Sequence, residues 1–262
     1  MKKSIYTSKV MLKRHHPHGS LEKLIREYFT LFRYGVAVDR PLSTAVPDTP
    51  TRSSALVKAQ RQWEFLQQIV DPETVYGDHK GPAGSIAQWG YYTAAYASFV
   101  GEVNRVNITG PEEDPILYCF TTYHVILSRN TVKYLFPHVL HNEPLVQRLI
   151  GLYVPCPVVG IFRFTADGHI SSETADIELA EALLAGGCHV EDVAEIMEGF
   201  VISQDGQVPD ELQSEEPQIL DDLGIDRDGR QDAAREKLRI SYLLDEEKDE
   251  DEGKENAQGV NN

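Results

Sequence analysis

The 262 residues suffice for one large domain or two small ones, and a hydrophobic share of 41% leaves part of the chain short of core-forming side chains. There is no run of 18 or more apolar residues to span a membrane as a helix, and no apolar stretch behind the opening Met1-Lys2-Lys3 to make a secretory signal. The net charge of −16 belongs to the C-terminal part: residues 191–262 hold 23 acidic and 7 basic residues, which leaves 18 of each in residues 1–190.

Residues 1–19 read as a basic, flexible arm ending in His15-His16-Pro17-His18-Gly19. No carboxylate or cysteine accompanies these histidines, so a solvated loop is a plainer reading than a metal site. Ser20 fits a helix N-cap, and Leu21, Leu24, Ile25, Tyr28, Leu31 and Phe32 follow at helical spacing until Gly35 stops them. Pro41, Pro47 and Pro50 make 39–54 a loop. A second helix is expected over about 55–70, with Ala59, Trp63, Leu66, Ile69 and Val70 on one side and Asp71-Pro72 ending it. Val75-Tyr76-Gly77 is a short strand and Gly81-Pro82-Ala83-Gly84 a turn. A third helix then carries Ile86, Trp89, Tyr92 and Tyr96.

Beyond it the pattern turns to strands at 99–109, 115–127 and 131–139, separated by Gly110-Pro111 and Ser128-Arg129-Asn130. A long strand over 149–165 and another over 169–177 flank Asp167-Gly168. On the long strand Leu152, Val154, Cys156, Val158, Phe162 and Phe164 share one face, while Tyr153, Val159, Ile161 and Arg163 take the other. A sheet that is apolar on both faces needs cover on both, from helices on one side and a second subunit on the other. Helices at 178–185 and 190–200 close the domain. Residues 204–262 read as an acidic, largely disordered tail, broken by two apolar islands at 219–223 and 238–244. Each island is either a partner-binding motif or a fraying helix. Cys119, Cys156 and Cys188 form no CxxC pair and fit reduced thiols, which points to an intracellular setting, nuclear or cytoplasmic.

The order of these elements resembles the α+β NTF2-like (SnoaL-like) cone, a curved antiparallel sheet wrapped around N-terminal helices. Glu27-Tyr28-Phe29, Leu31-Phe32-Arg33, Gly35, Phe65-Leu66, Gln88-Trp89, Tyr134-Leu135-Phe136-Pro137-His138 and Arg148-Leu149-Ile150-Gly151 carry a closer resemblance. Together they are similar to the domain that follows basic leucine zippers in a large oomycete protein family, over roughly residues 20–200. The resemblance implies a link to transcription and pairing through the convex sheet face. The 19 residues ahead of the domain contain Pro17 and Gly19 and hold no heptad zipper.

NTF2-like pockets can also be catalytic, which requires a general base and a donor for an enolate in an apolar cavity. The residues expected at a pocket are Tyr76, Trp89, Tyr92, His124, Arg163 and Asp176, with His138 a further polar candidate. His124 and Asp176 form the candidate catalytic pair, since an Asp can fix a histidine tautomer. The plainer alternatives are core packing for Trp89 and Tyr92, an ordinary strand histidine at 124, and an Arg163–Glu173 pair across a hairpin. No nucleotide, hydrolase or zincin motif is present, and neither a cofactor nor a metal is expected.

The leading expectation is a non-catalytic domain that dimerises, binds a protein partner through its acidic tail, or holds a small apolar ligand. One alternative is a cofactor-independent isomerase, cyclase or dehydratase. Another is weak nucleic-acid association through the basic arm. No membrane partner is expected, and firm nucleic-acid binding only beside a zipper-bearing partner.

Overall fold

The structure, a computed structural model, describes residues 17–36, 52–77, 79–202, 206 and 219–225. Helix α1 (Pro17–Leu31) begins three residues ahead of Ser20, with proline at a position where a missing N–H costs nothing. Its buried Leu21, Leu24, Ile25 and Tyr28, with Phe32 just past its end, make the inward stripe expected from their spacing. Gly35 ends the segment in the left-handed region (φ 68°). A Cβ there would meet Thr93 Oγ1 at 2.1 Å, the same oxygen that accepts a hydrogen bond from the Val36 N–H. Helix α2 (Arg52–Ile69) buries Ala59, Trp63, Leu66 and Ile69, and Gln62 Nε2 donates to the Leu31 and Gly35 carbonyls, which ties α2 to the end of α1.

Val75–Tyr76 (β1) pairs with His79–Lys80 (β2) as a two-stranded hairpin that leads into α3 (Gly81–Ala95). The expected turn at Gly81–Gly84 is instead the first turn of this helix, with Pro82 at its start. Twelve of the fifteen residues of α3 are buried, as befits a helix apolar on most sides and placed at the centre of a fold. Tyr96, expected at the end of the helix, is the first residue of β3.

Strands β3 (Tyr96–Thr109), β4 (Ile116–Leu127), β5 (Tyr153–Phe164) and β6 (Ile170–Ile177) form one antiparallel sheet in sequence order. Register shifts within β3 and near the end of β5 bend it. On β4 the residues Leu117, Cys119, Thr121 and Val125 point to the helices. On β5 Val154, Cys156, Val158 and Phe162 do so. The fold is therefore α+β, a curved antiparallel sheet over N-terminal helices, as the order of elements suggested.

The expected strand at 131–139 is helical: α4 (Arg129–Leu135) runs into a 3-10 turn at Pro137–His141. Ser128 and Thr131 explain this, because each side chain bonds the other's backbone N–H in a capping box that starts a helix despite the β-branched Thr131 and Val132. Asn142 caps α5 (Glu143–Leu149), so the long strand begins at Tyr153 rather than at 149. Leu152 precedes it and still packs on the core. Helices α6 (Leu179–Ala185) and α7 (Val190–Met197) follow, with α6 lying against β5.

The island at 219–223 forms a short helix, α8 (Ile219–Leu223), packed against α2 and α3 of its own chain with Ile219, Leu220, Leu223 and Ile225 buried. The island at 238–244 and most of the arm and tail lie outside the described residues. So do the side chains of His15, His16 and His18. No helix among the described residues is long and apolar enough to cross a membrane.

Candidate functional site

Between α1, β1, α3 and the concave face of the sheet lies a cavity of about 60 Å³, walled mainly by Tyr28, Tyr76, Trp89, Tyr92, Tyr123 and Glu173. Each side chain arrives for a local reason. Tyr28 lies on the buried stripe of α1. Tyr76 packs closely on α3 because Gly84 has no Cβ, which would fall 2.7 Å from its ring. Trp89 stacks on Phe32 at 5.0 Å between centroids and meets Phe99 and Tyr123 edge-on. These rings fill most of the interior and leave the cavity small.

Glu173 organises the polar part of the site. Its Oε1 accepts a hydrogen bond from Tyr28 Oη at 2.9 Å, and its Oε2 one from Tyr76 Oη at 3.0 Å. Trp89 Nε1 donates in turn to Tyr28 Oη at 2.5 Å. The relay thus runs from indole to phenol to carboxylate, with a second phenol on the other oxygen. Burial pushes the Glu173 carboxyl up to about 7, against the two phenol hydrogen bonds that favour its charged form. Burial, reinforced by the Glu173 charge, holds Tyr28, Tyr76 and Tyr123 well above the ordinary phenol value, so all three stay protonated. Ser85 Oγ also faces the cavity. It is close enough to both phenols to offset slightly the upward push of burial on their titration, yet makes no well-formed hydrogen bond of its own. At the rim Tyr92 Oη donates to the Gly206 carbonyl.

Of the residues named from the sequence, Tyr76, Trp89 and Tyr92 line this cavity. His124, Asp176 and Arg163 do not, because all three lie on the opposite face of the sheet. His124 Nδ1 is 2.7 Å from Tyr153 Oη, and its Nε2 lies 3.4 Å from Glu102. His124 pairs in register with Pro155 and Asp176 with Val159, four residues further along β5. That offset separates the candidate pair by roughly 13 Å along the strand, far beyond hydrogen-bond reach. Arg163 is exposed opposite Ser172 and 3.9 Å from Asp114, so the expected Arg163–Glu173 pair does not form. His138 turns toward α7, with its Nε2 2.9 Å from the Glu195 carbonyl oxygen.

One extra residue explains why Glu173 rather than Asp176 is inside. Phe164 pairs with Ile170, but Arg163 pairs with Ser172, so Ser171 is a bulge on β6. Counting by twos from buried Ile170 would turn 172, 174 and 176 inward. The bulge reverses that parity, and Glu173 instead stands opposite inward-facing Phe162. Among the described residues no group of three or more His, Cys, Asp or Glu is placed to hold a metal ion.

A family model described as the bZIP transcription factor 1 C-terminal domain matches residues 23–95. The match spans α1 to α3 and so includes Tyr28, Tyr76, Ser85, Trp89 and Tyr92. The expected resemblance to the domain beside basic zippers is met over that stretch. No curated protein matches the chain. Solved structures similar to it include a candidate SnoaL-like polyketide cyclase from Shewanella denitrificans OS-217, at 13% identity over 50% of this chain and 90% of the other, with a TM-score of 0.33. TsrD from Streptomyces laurentii is 11% identical over 53% of this chain and 98% of its own, TM-score 0.33. Mtr2 of Candida albicans is 11% identical over 62% and 96%, TM-score 0.32. At such identities and TM-scores these structures say nothing of what this chain binds or does.

Proposed function

We propose that this chain is a non-catalytic regulatory domain that holds a small ligand in the cavity at Glu173. The observation that carries this reading is the carboxyl of Glu173, set between two phenols inside an aromatic cavity. A polar group is costly to bury, and this one has hydrogen-bonding capacity left over that a ligand would use. The family match over 23–95 supports a role beside transcription factors, in the nucleus or cytoplasm. The test is native mass spectrometry of the full chain purified without denaturation, beside Glu173→Gln. A bound mass in the wild type that the variant lacks is the expected result. A chain that carries nothing, and that no small molecule saturates, counts against the reading.

A proton-transfer enzyme is the second reading, favoured by a carboxyl held near neutrality in an apolar setting. The hydrogen-bond directions weigh against it. Both phenols donate to the would-be base, so neither remains to stabilise an enolate. Dimerisation is assigned to the convex sheet face, where half-buried Phe120 and Val159 pair in register beside Ile161, and Tyr153, 51% exposed, lies further along β5 opposite Ile126. Sedimentation of the wild type against Tyr153→Asp tests it, with a dimer expected to become a monomer. The acidic tail is assigned to protein partners, and nucleic-acid association is expected only together with a zipper-bearing chain.

A further inference from the structure

We propose that the ligand of this cavity is a small organic cation, an alkylammonium ion, with Glu173 as its counter-charge and the surrounding aromatic rings as its cage. The inference rests on the ligand-binding reading and deepens it. The first argument is charge. Among the described residues no Lys, Arg or His lines the cavity, and none contributes to the titration of Glu173. The residues whose titration it influences are Tyr28, Tyr76, Tyr92, Cys119 and Tyr123, and all are neutral at neutral pH. A carboxylate taken out of water without a counter-charge is costly even with two phenol donors, and an entering cation offsets that cost.

The second argument is the wall. Tyr28, Tyr76, Trp89, Tyr92 and Tyr123 offer rings from α1, β1, α3 and β4, and aromatic rings attract ammonium groups more strongly once water is excluded. The third is spare hydrogen bonding. Each Glu173 oxygen accepts one phenol O–H and keeps a lone pair, and Ser85 Oγ, 1% exposed, lacks a well-formed partner. An ammonium N–H can donate to both, whereas an anion would meet the carboxylate and be repelled. Size completes the argument. The cavity has room for roughly five water-sized groups, which suits a free branched alkylammonium, and Gly206 occupies part of the rim.

The experiment is a titration of the full chain with tert-butylammonium chloride and with tert-butanol, a neutral molecule of the same shape. Indole fluorescence and calorimetry are the readouts, and KCl matches ionic strength. Expected is saturable binding of the ammonium at least about tenfold tighter than of the alcohol, and at least about tenfold weaker binding to Glu173→Gln. Circular dichroism checks that the variant is folded. If it is not, the ammonium-to-alcohol ratio on the wild type decides alone. Equal binding of the alcohol, or of the ammonium to folded Glu173→Gln, overturns the cation inference but leaves a ligand-binding cavity. Failure of both probes together with the lack of a co-purified mass overturns the cation inference and the ligand reading alike.

Discussion

The two faces of the sheet carry similar residue types to opposite ends. On the concave face Glu173 shares a ring-walled cavity with Tyr28 and Tyr76. On the convex face His124, Asp176 and Arg163 meet solvent and ordinary partners such as Tyr153, Glu102 and Asp114. A carboxyl thus sits between two phenols on one side and meets solvent on the other. The difference arises from strand parity and burial, not from the kind of residue, and it can be broken by substitution.

The largest effect is expected from Trp89→Ala. It removes the ring that stacks on Phe32, meets Phe99 and Tyr123, and bonds Tyr28. A loss of about 3–5 kcal/mol in urea unfolding of the full chain is expected for a buried aromatic of this kind. A loss under about 1 kcal/mol would mean that the concave face is not the core.

Next comes the pH dependence of stability through Glu173. Its folded value of about 7 lies above the 4.5 of an unburied glutamate, so the folded state holds the proton more tightly. The stability linked to that proton is fully present below about pH 4.5 and is lost as pH rises to about 7. The loss is on the order of 3 kcal/mol, at 1.36 kcal/mol per unit. Glu173→Gln flattens that slope and makes the variant the more stable chain above pH 7. Taking the difference between wild type and variant removes the background from the acidic tail. Parallel profiles for the two chains would mean that Glu173 titrates as an exposed residue.

How much of this was legible in the sequence follows from which signals are local. The helical stripe from Leu21 to Phe32, the Gly35 stop and the alternation on β5 depend on neighbours a few residues away, and they read correctly. The inward placement of Tyr76, Trp89 and Tyr92 is local in the same way, since their rings fall on apolar faces. The helix at 129–135 was hidden because Thr131, Val132, Tyr134 and Phe136 favour strands, although Ser128 and Thr131 form a cap. Glu173 was not legible because its orientation hangs on the single bulged residue Ser171, and nothing in Ile170-Ser171-Ser172-Glu173 marks a bulge. On β4 apolar and aromatic residues alternate with one another, Leu117-Tyr118-Cys119-Phe120, so the face of His124 had no pattern to reveal it.

A smaller effect probes the rim. Gly206 has φ 73°, and a Cβ there would fall 2.4 Å from the Ala175 carbonyl oxygen. Gly206→Ala must shift away from β6 and give up the bond from Tyr92 Oη. Tyr92→Phe loses that bond alone, at about 1 kcal/mol. The expected result in urea unfolding is a cost of about 1 kcal/mol for each, with faster entry of a cavity ligand in stopped-flow fluorescence. Unchanged entry rates would place the route into the cavity elsewhere.

The smallest effect is expected from His124→Ala on the convex face, and its smallness makes it the sharpest test of the comparison. The bond to Tyr153 and the contact with Glu102 are both solvent-accessible, and such pairs contribute about 0–1 kcal/mol. The double variant with Glu173→Gln should be additive in unfolding free energy to within about 0.5 kcal/mol, since the two residues share no partner and lie on opposite faces. His124→Ala should also leave cavity-ligand affinity unchanged, while it shifts the dissociation constant of a dimer formed through Tyr153. A coupling energy well above 0.5 kcal/mol, or a ligand affinity that moves with His124, would mean that the sheet transmits between its faces. Occupancy of the cavity would then set the dimer equilibrium, and the two faces would have to be treated as one thermodynamic unit.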